Sequence, residues 1–266
     1  MSKVVLITGA SSGIGKISAE YLSGKGFKVY GTSRKSNSDK LPFTMLSLDL
    51  TNKDSIVKAI EIIIKKEHRI DVLVNNAGTG ITGAFEETPT EEMRKFFETN
   101  FFGLIDVTKE VLPQMRKQNS GLIINITSLA GYMGLPYRGI YSATKGALEI
   151  LTESIRMEVK EFGIAIINIA PGDYATNIVS GRYHSPFIEG SAYNDSYRRN
   201  LALMNNHVSD GRDPIEIARK IESIINMSKP KIHYKVGDSL QKFSIVLKRI
   251  LPDKIYEKLI MNYYKM

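Results

Sequence analysis

Residues Val4–Gly15 read VVLITGASSGIG and decide the fold. The run Val4–Ile7 is short and apolar, which is typical of a parallel strand buried on both faces. The turn TGASSGIG follows and leads into a helical stretch from Lys16 to Gly24. Glycines in such a turn let a phosphate approach the backbone, and the free amides at the start of the helix hold the anion. This order of strand, turn and helix favours dinucleotide binding over an ordinary strand-to-helix connection.

The rest of the chain alternates strand and helix patterns. Besides the first strand near 3–8, strand patterns fall near residues 27–32, 44–48, 71–75, 121–127 and 164–169, with a short seventh strand at Ile232–Val236. Helical patterns fill the intervals. The alternation predicts an α/β fold, a Rossmann-type doubly wound parallel sheet of about seven strands with helices on both faces. We expect residues 1–266 to form a single domain.

Tyr141 and Lys145 are four residues apart in the segment YSATK, thirteen residues after Ser128. On a helix this spacing puts both side chains on one face. A lysine ammonium there can stabilise the phenolate form of a tyrosine, which lets the phenol exchange a proton with a carbonyl or alcohol oxygen. Taken alone, the pair also fits a solvated surface pair, so the accompanying motifs decide its meaning.

Charge and composition exclude several classes of protein. The net charge is +8, but the basic residues are spread out and form no dense patch with aromatics, which argues against nucleic-acid binding. A lysine-rich solvated surface explains the charge better than attraction to an anionic cofactor, acyl carrier or membrane. The chain has no cysteine, and its four histidines lack metal-ligand spacing, so thiol catalysis is excluded and no metal is expected.

No apolar run approaches the ~18–20 residues that span a bilayer. The N-terminus enters the first strand at once, which leaves no room for a signal peptide. A cytoplasmic, metal-independent protein is the simplest interpretation.

The motifs together resemble the short-chain dehydrogenase/reductase family, in its NADP-type form. Thr8–Gly15 looks like the family's cofactor fingerprint, and Asn75–Gly78, which reads NNAG, looks like its fourth-strand motif. Pro171 and Gly172, with Thr176 four residues on, resemble the segment that closes over the nicotinamide. The catalytic tetrad of the family is matched by Asn100, Ser128, Tyr141 and Lys145. These motifs make residues 1–176 the expected cofactor-binding and catalytic core.

The resemblance implies a role for each member of the tetrad. Ser128 would hydrogen-bond the substrate carbonyl, and Tyr141 would protonate its oxygen as hydride arrives from the nicotinamide. Lys145 would support Tyr141 and hold the nicotinamide ribose, while Asn100 would anchor a water that links Lys145 to solvent. The residues expected to bind the cofactor are Gly9, Ser11, Ser12, Gly13, Ile14, Gly15, Ser33, Arg34, Asp49, Leu50, Asn76, Ala77, Gly78, Tyr141, Lys145, Pro171, Gly172 and Thr176.

The end of the second strand favours NADP(H) over NAD(H). NAD-specific folds of this type place an Asp or Glu there to bind the ribose hydroxyls. Here Ser33 stands near that position, followed by Arg34 and Lys35, whose charges can bind a 2′-phosphate. In the family that the chain resembles, an Arg at this place marks NADPH users, and Asp49 matches the position that contacts the adenine. NAD(H) remains the alternative cofactor, and a basic surface turn the alternative explanation of the cations.

The substrate pocket is expected to form from loops over the carboxyl edge of the sheet. The candidates are residues 131–137 and a lid loop, residues 177–212, which is rich in aromatic and apolar side chains. Its members are Ile178, Val179, Tyr183, Phe187, Ile188, Tyr193 and Tyr197. An apolar or amphipathic carbonyl substrate fits this composition better than a sugar, although each of these residues could instead pack the lid on the body.

Residues 239–266 are predicted to form a C-terminal helical extension. Its two apolar-periodic stretches, Phe243–Leu251 and Ile255–Tyr263, are separated by Pro252, which should end the first helix. A basic amphipathic end can lie on a membrane, complete a subunit contact or pack on its own body. Peripheral membrane contact is the less favoured of these.

The sequence therefore predicts an NADPH-dependent reductase that interconverts a small-molecule ketone or aldehyde, apolar or lipid-like, with its alcohol. A 3-oxoacyl-thioester reductase is the nearest enzyme alternative. A sensor or scaffold that binds NADP without turnover is the alternative of another class. The resemblance also implies a homodimer or homotetramer, assembled through the helices that begin near Thr90 and Tyr141.

Overall fold

The computed structural model describes residues 2–35, 40–176 and 181–266. Its strands are β1 (Val4–Ile7), β2 (Lys28–Ser33), β3 (Thr44–Ser47), β4 (Val72–Asn75), β5 (Ile81–Thr82), β6 (Gly121–Ile126), β7 (Ile164–Pro171), β8 (Tyr183–His184) and β9 (His233–Val236). Seven of them form a parallel sheet in the spatial order β3-β2-β1-β4-β6-β7-β9. The predicted Rossmann-type fold is confirmed, and the seven predicted strands fall within a few residues of the observed ones.

Helices cover both faces of this sheet. They are α1 (Gly13–Gly24), α2 (Lys53–Glu67), α3 (Thr90–Phe97), α4 (Gly103–Gln118), α5 (Gly139–Glu158), α6 (Asn194–Ser209), α7 (Ile215–Ile225), α8 (Ser239–Ile250) and α9 (Asp253–Tyr263). Side chains alternate between the faces of a strand, so Val5 and Ile7 pack with α1 and α7. Val4 and Leu6 pack on the other face with α2 and α4. Burial on both faces explains the continuous apolar strands.

The stretch predicted as a lid loop differs from that expectation, because half of it is helix α6. This helix buries Tyr197, Asn200 and Met204 at helical spacing. One of these three residues is an asparagine, so the apolar periodicity of α6 is too weak to be recognised in the sequence. A two-stranded parallel ladder, β5 with β8, ties the segment before α6 to the loop after β4. Two-residue strands give no periodic signal either.

The C-terminal helices pack over the turn that follows β6. Helix α8 ends at Ile250, two residues before Pro252, and α9 starts at Asp253. Ile245 and Tyr256 are buried against Leu129 and Met133, which lie in that turn. The extension thus packs on its own body, one of the arrangements that the sequence leaves open.

Several apolar side chains remain exposed on the helices. Ile150 and Met157 on α5 are each 72% exposed, and α5 is one of the helices through which the sequence predicts self-association. Assembly stays a prediction. Among the described residues, no helix combines the length and hydropathy that a bilayer span requires.

A buried row of polar side chains crosses the sheet beneath the carboxyl edge. Asn75, Asn125 and Asn168 lie in register on β4, β6 and β7. Asn75 Nδ2 donates to Asn125 Oδ1 at 3.0 Å, and Asn125 Nδ2 donates to Thr152 Oγ1 at 2.9 Å. The Thr152 hydroxyl in turn donates to Asn168 Oδ1 at 2.7 Å. Because buried polar groups are costly without partners, this row fixes α5 against the two strands that carry the site.

Replacing Thr152 by Val keeps the shape of the side chain but removes the hydroxyl. Two buried amide groups, on Asn125 and Asn168, then lose their partner, so we expect a loss of about 2–4 kcal/mol in the free energy of unfolding. Thr152→Ser, which keeps the hydroxyl and deletes one methyl, should cost about 1 kcal/mol. Urea denaturation measures both variants. A valine variant as stable as the serine variant would contradict the role given to this row.

Candidate active site

The predicted site residues gather at the edge of the sheet where β1, β2, β4, β6 and β7 end. Carboxyl ends of parallel strands are where such folds bind ligands. A cavity of about 920 Å³ opens along this edge and continues toward the C-terminal helices. Every predicted site residue lines it except Gly15 and Asn100.

The glycine-rich turn after β1 is held by the motif after β4. The Thr8 hydroxyl oxygen accepts from the backbone amides of Asn76 and Ala77, each at 3.0 Å. The Asn76 side chain returns the contact, since its Nδ2 donates to the carbonyls of Thr8 at 2.9 Å and Gly9 at 3.2 Å. Gly9 and Gly13 have φ values of +69° and +54°, which favour glycine. These bonds fix a turn whose helix start can receive a phosphate.

Gly15 lies behind the turn, in the first turn of α1. A Cβ atom on Gly15 would sit 2.3 Å from the Gly9 carbonyl oxygen and 2.4 Å from Asn76 Nδ2. The missing side chain therefore lets α1 press against the turn. Gly15 shapes the binding surface without forming part of the cavity wall.

The far end of the cavity carries the residues predicted to choose the cofactor. Arg34 follows β2, is exposed and lines the cavity with Ser33, Asp49 and Leu50. Asp49 Oδ1 accepts from the backbone amide and the hydroxyl of Thr51, at 2.9 and 2.8 Å. These bonds lower the pKa of the Asp49 carboxyl, and the nearby Arg34 charge adds to the effect. Asp49 is therefore a fixed carboxylate at neutral pH.

Ser128, Tyr141 and Lys145 all line this cavity. Ser128 comes two residues after β6, and its hydroxyl oxygen accepts from the Ala130 amide at 3.1 Å. Tyr141 and Lys145 belong to the first half of α5. Lys145 Nζ donates to the carbonyl of Ile126, the last residue of β6, at 2.9 Å. The strand end and the helix are thereby bonded directly to each other.

Lys145 is buried, and burial lowers the pKa of its ammonium group. Tyr141 and Glu149 act in the opposite direction, since negative charge on either one raises this pKa. Glu149 lies one turn further along α5 and is itself buried. The Glu149 carboxylate thus opposes the effect of burial and favours the cationic form of Lys145.

Glu149 is the centre of a hydrogen-bond network behind the site. It accepts from the hydroxyls of Thr127 and Tyr132, the latter at 2.6 Å. Asn168 Nδ2 donates to it at 3.0 Å, and His233 Nδ1 lies 2.7 Å from it. Because Thr127 and Tyr132 bracket Ser128 in sequence, the carboxylate holds the segment that carries the serine. The sequence analysis does not predict this network, since its members come from four separate elements.

Asn100 is buried in a π-helical turn, Glu98–Phe102, between α3 and α4. Its Oδ1 accepts from the Thr79 amide at 2.8 Å, and its Nδ2 donates to the Thr79 carbonyl at 3.3 Å. A Cβ on Gly78 would lie 2.5 Å from Asn100 Oδ1. The side chain therefore fixes the loop after Asn75–Gly78, and reaches the cavity only through that loop. Single π-turns inside helices are frequent at functional sites.

The segment after β7 is joined to helix α8. The Gly172 amide donates to the Val236 carbonyl at 2.8 Å, and a Cβ on Gly172 would lie 2.0 Å from Gln241 Oε1. Gln241 Nε2 donates to Asp173 Oδ2 at 2.6 Å. The sequence offers no reason for an aspartate after Pro171 and Gly172. The structure supplies one, because Asp173 anchors the C-terminal extension beside the cavity.

The far wall of the cavity, beyond the catalytic candidates, is apolar. It is built by Met133, Leu135, Leu247, Tyr256 and Ile260. Leu240, Leu259 and Tyr263 also line the cavity but are 69%, 45% and 49% exposed, so they form its rim. The wall from α8 and α9 is missing from the sequence prediction. The apolar periodicity marks these helices as amphipathic. Which of their faces lines the cavity depends on the tertiary structure.

The aromatic residues predicted for the pocket are mostly elsewhere. Tyr197 is buried, bonds Thr82 and packs against the rings of Tyr137 and Phe187, outside the cavity wall. Tyr183, Phe187, Ile188 and Tyr193 do not line the cavity either. Tyr197 follows the alternative interpretation, in which the lid packs on the body, whereas Phe187 and Ile188 are 44% and 46% exposed. Ile178 and Val179 lie outside the described residues.

Two arginines line the cavity near Tyr141, and the sequence analysis does not single them out. The guanidinium carbon of Arg138 lies 5.3 Å from the centroid of the Tyr141 ring. Arg182, beside β8, donates from Nη1 to Asn205 Oδ1 at 3.2 Å. Arg138 directly precedes α5 and is three residues before Tyr141. This short separation in sequence could have identified Arg138 as a site residue. Arg182 has no such signal.

Comparison with known proteins agrees with this geometry. The family model described as short chain dehydrogenase matches residues 3–185. A 3-ketodihydrosphingosine reductase from Bacteroides thetaiotaomicron is 41% identical over 263 residues, with 98% of each chain covered. An NADPH-dependent 3-dehydrocapnine reductase from Ornithobacterium rhinotracheale is 31% identical over 275 residues, covering 97% of this chain and 95% of the relative.

The fold agrees as well. The crystal structure of a short-chain dehydrogenase from Streptomyces avermitilis superposes with a TM-score of 0.86 at 32% identity, covering 100% of this chain and 97% of the other. The family resemblance predicted from the motifs is confirmed. This chain belongs to the short-chain dehydrogenase family of NAD(P)-dependent oxidoreductases.

Proposed function

We propose that this protein uses NADPH to reduce the ketone of a lipid-like substrate to an alcohol. The observation that supports this proposal is that one continuous cavity joins the catalytic candidates to the apolar wall. One wall presents Ser128, Tyr141 and Lys145, and the same space runs on into the apolar wall built by α8 and α9. A carbonyl can therefore lie at the polar centre while a hydrocarbon chain leaves water for the apolar part.

The cofactor end fits a dinucleotide with a 2′-phosphate. The turn after β1 offers backbone amides at a helix start to the bridging phosphates. Beyond β2 the cavity meets Arg34, and no acidic residue occupies the end of that strand. The bound nicotinamide would supply the hydride for the carbonyl carbon.

The hydrogen bonds around Ser128 and Lys145 suit the proposed chemistry. Since the Ser128 oxygen accepts from the Ala130 amide, its own proton is free to donate to a substrate carbonyl. Lys145 Nζ spends one of its three N–H groups on Ile126, which leaves two for Tyr141 and a ribose hydroxyl. Tyr141 would then donate the proton that the reduced oxygen needs. Asn100 would act as a positioning residue, through the Thr79 loop.

The relatives support a long-chain ketone as the substrate class. One is named for the reduction of 3-ketodihydrosphingosine and another for that of 3-dehydrocapnine, and both match nearly the whole chain. Their similarity extends through α8 and α9, the helices that supply the apolar wall. NADPH oxidation across long-chain ketones, short ketones, aldehydes and 3-oxoacyl thioesters separates this proposal from the thioester reductase. Preference for a thioester would favour that alternative.

Replacing Tyr141 by Phe should lower turnover by about 10²–10⁴-fold, because the proton donor is lost while the ring remains. NADPH affinity, followed by fluorescence titration, should stay nearly the same. Tyr137→Phe is the matched control, since Tyr137 lies outside the wall of this cavity. Substantial turnover by the Tyr141 variant would exclude this residue as the acid.

Replacing Arg34 by Ala should raise the KM for NADPH about 10–100-fold and leave that for NADH nearly unchanged, because a charge-assisted hydrogen bond to the 2′-phosphate is removed. Lys35→Ala tests the neighbouring cation, which does not line the cavity, and should have a smaller effect. Initial rates with both cofactors give the ratio. An unaltered preference in the Arg34 variant would refute its assignment.

Replacing Gly15 by Ala should weaken NADPH binding at least about 10-fold and lower the melting temperature, since the new methyl group collides with the Gly9 carbonyl and forces the turn open. Gly24→Ala, at the other end of α1, meets no atom within 4 Å and should be neutral or slightly stabilising. Equilibrium binding and thermal melts report both effects. If the two variants had the same NADPH affinity and melting temperature, close packing would not be the reason for a glycine at position 15.

A further inference from the structure

Arg138 and Arg182 face the substrate end of the cavity without a carboxylate partner. Within the described ranges, neither guanidinium has an Asp or Glu oxygen within 4.0 Å. Arg138 interacts with the hydroxyl of Tyr264 and stacks on Tyr141. Arg182 bonds the neutral side-chain oxygen of Asn205. Both charges therefore remain available to a ligand.

The two arginines and Tyr141 form one electrostatic cluster. Arg138 and Arg182 both line the cavity that Tyr141 lines. Burial lowers the pKa of Arg182, and the positive charge of Arg138 lowers it further. Tyr141, Tyr197 and Asp173 act in the opposite direction. Asp173 is the acidic residue of this group; its carboxylate accepts from Gln241 Nε2 and lies more than 4.0 Å from both guanidinium groups.

Half-buried cations without a carboxylate in contact cost free energy, and an anion bound by both arginines offsets that cost. Guanidinium groups are suited to carboxylate, phosphate and sulfonate because their planar forks match two oxygens at once. Lys145 does not add to this charge, because Glu149 compensates it. Arg138 and Arg182 therefore exceed Asp173 by one positive charge at this end of the cavity.

We infer that Arg138 and Arg182 bind an anionic group that the substrate carries close to its reacting carbonyl. This inference rests on the proposed function and narrows its substrate class. The substrate is then an anionic amphiphile, with the ketone at Tyr141, the acidic group between the arginines and the hydrocarbon chain along α8 and α9. The phosphates of the dinucleotide have their own place at the turn after β1, on the other side of the catalytic centre.

Three matched ketones test the inference on the full-length protein with NADPH. The first is a long-chain ketone with a sulfonate on the carbon next to the carbonyl, the second lacks the sulfonate, and the third carries trimethylammonium instead. We expect kcat/KM for the sulfonate to exceed that for either analogue by about 10-fold or more. Equal or better reduction of the neutral or cationic ketone would overturn the inference and leave the proposed function standing.

The variants Arg138→Gln and Arg182→Gln should each lower the ratio of kcat/KM for the sulfonate to that for the neutral ketone by about 10-fold. The ratio is the readout because Arg138 also touches the ring of Tyr141, so that its loss can alter turnover of every substrate. Arg198→Gln, whose guanidinium stacks on Phe187 away from the cavity, is the control and should keep the ratio. A higher KM for NADPH with an unchanged ratio would assign the arginines to the cofactor and refute the inference.

Direct binding keeps the inference testable if none of the three ketones is reduced. A long-chain alkanesulfonate and its alkyl trimethylammonium counterpart are then each titrated into the NADP-loaded protein, and isothermal titration calorimetry compares their affinities. Tighter binding of the sulfonate, lost in Arg182→Gln, would retain the anion site while the proposed reaction fails. Equal binding of both amphiphiles would remove the anion site as well.

Discussion

The common direction of the strands is the constraint on which the site depends. Because β1, β4, β6 and β7 run in parallel, residues far apart in sequence end at one edge of the sheet. Hydrogen bonds then lock these ends together. The Thr8 hydroxyl takes two amides of the segment after β4, and the Thr127 amide donates to the Ile169 carbonyl at 2.8 Å. A shift of any one strand along its neighbours would separate the turn from the catalytic cluster.

The charged groups behind the site oppose the usual preference of an interior for apolar side chains. Lys145 and Glu149 are both buried. Glu149 has several polar partners, and Lys145 donates to the Ile126 carbonyl and is stabilised by the Glu149 charge. The cost of burying Lys145 appears as its lowered pKa. What the protein obtains is an ammonium group held in one position on the cavity wall that Tyr141 shares. The asparagine row beneath supplies the rigid support that such a pair requires.

The two halves of the cavity come from different parts of the chain. The sheet edge provides the polar half, with its phosphate turn and catalytic candidates, and this half is common to the family. The C-terminal helices provide the apolar half, fastened to the sheet through Asp173 and Gln241. Arg138 and Arg182 lie between the halves. Under the proposed function, the substrate class would be set where the family fold meets this extension, in agreement with the rule that a fold does not determine a substrate.

The sequence alone determined the sheet, the order of its elements and most of the residues at its carboxyl edge. These features follow from local signals, namely continuous apolar strands, a glycine-rich turn and fixed spacings along one helix. It also indicated Pro252 as a helix boundary, because proline lacks the amide that a helix interior needs.

Only the tertiary structure decided what surrounds those residues. The Glu149 network, the apolar wall and the placement of Arg138 and Arg182 on one cavity each join elements that are distant in sequence. Tyr197 of α6 shows the same limit, since composition suggested a pocket lining, whereas its ring packs against Tyr137 and Phe187 outside the cavity wall. The type of each side chain and the spacing of similar side chains determine which face of a helix or strand is apolar. Which other element that face meets depends on how the whole chain packs, and no local pattern records it.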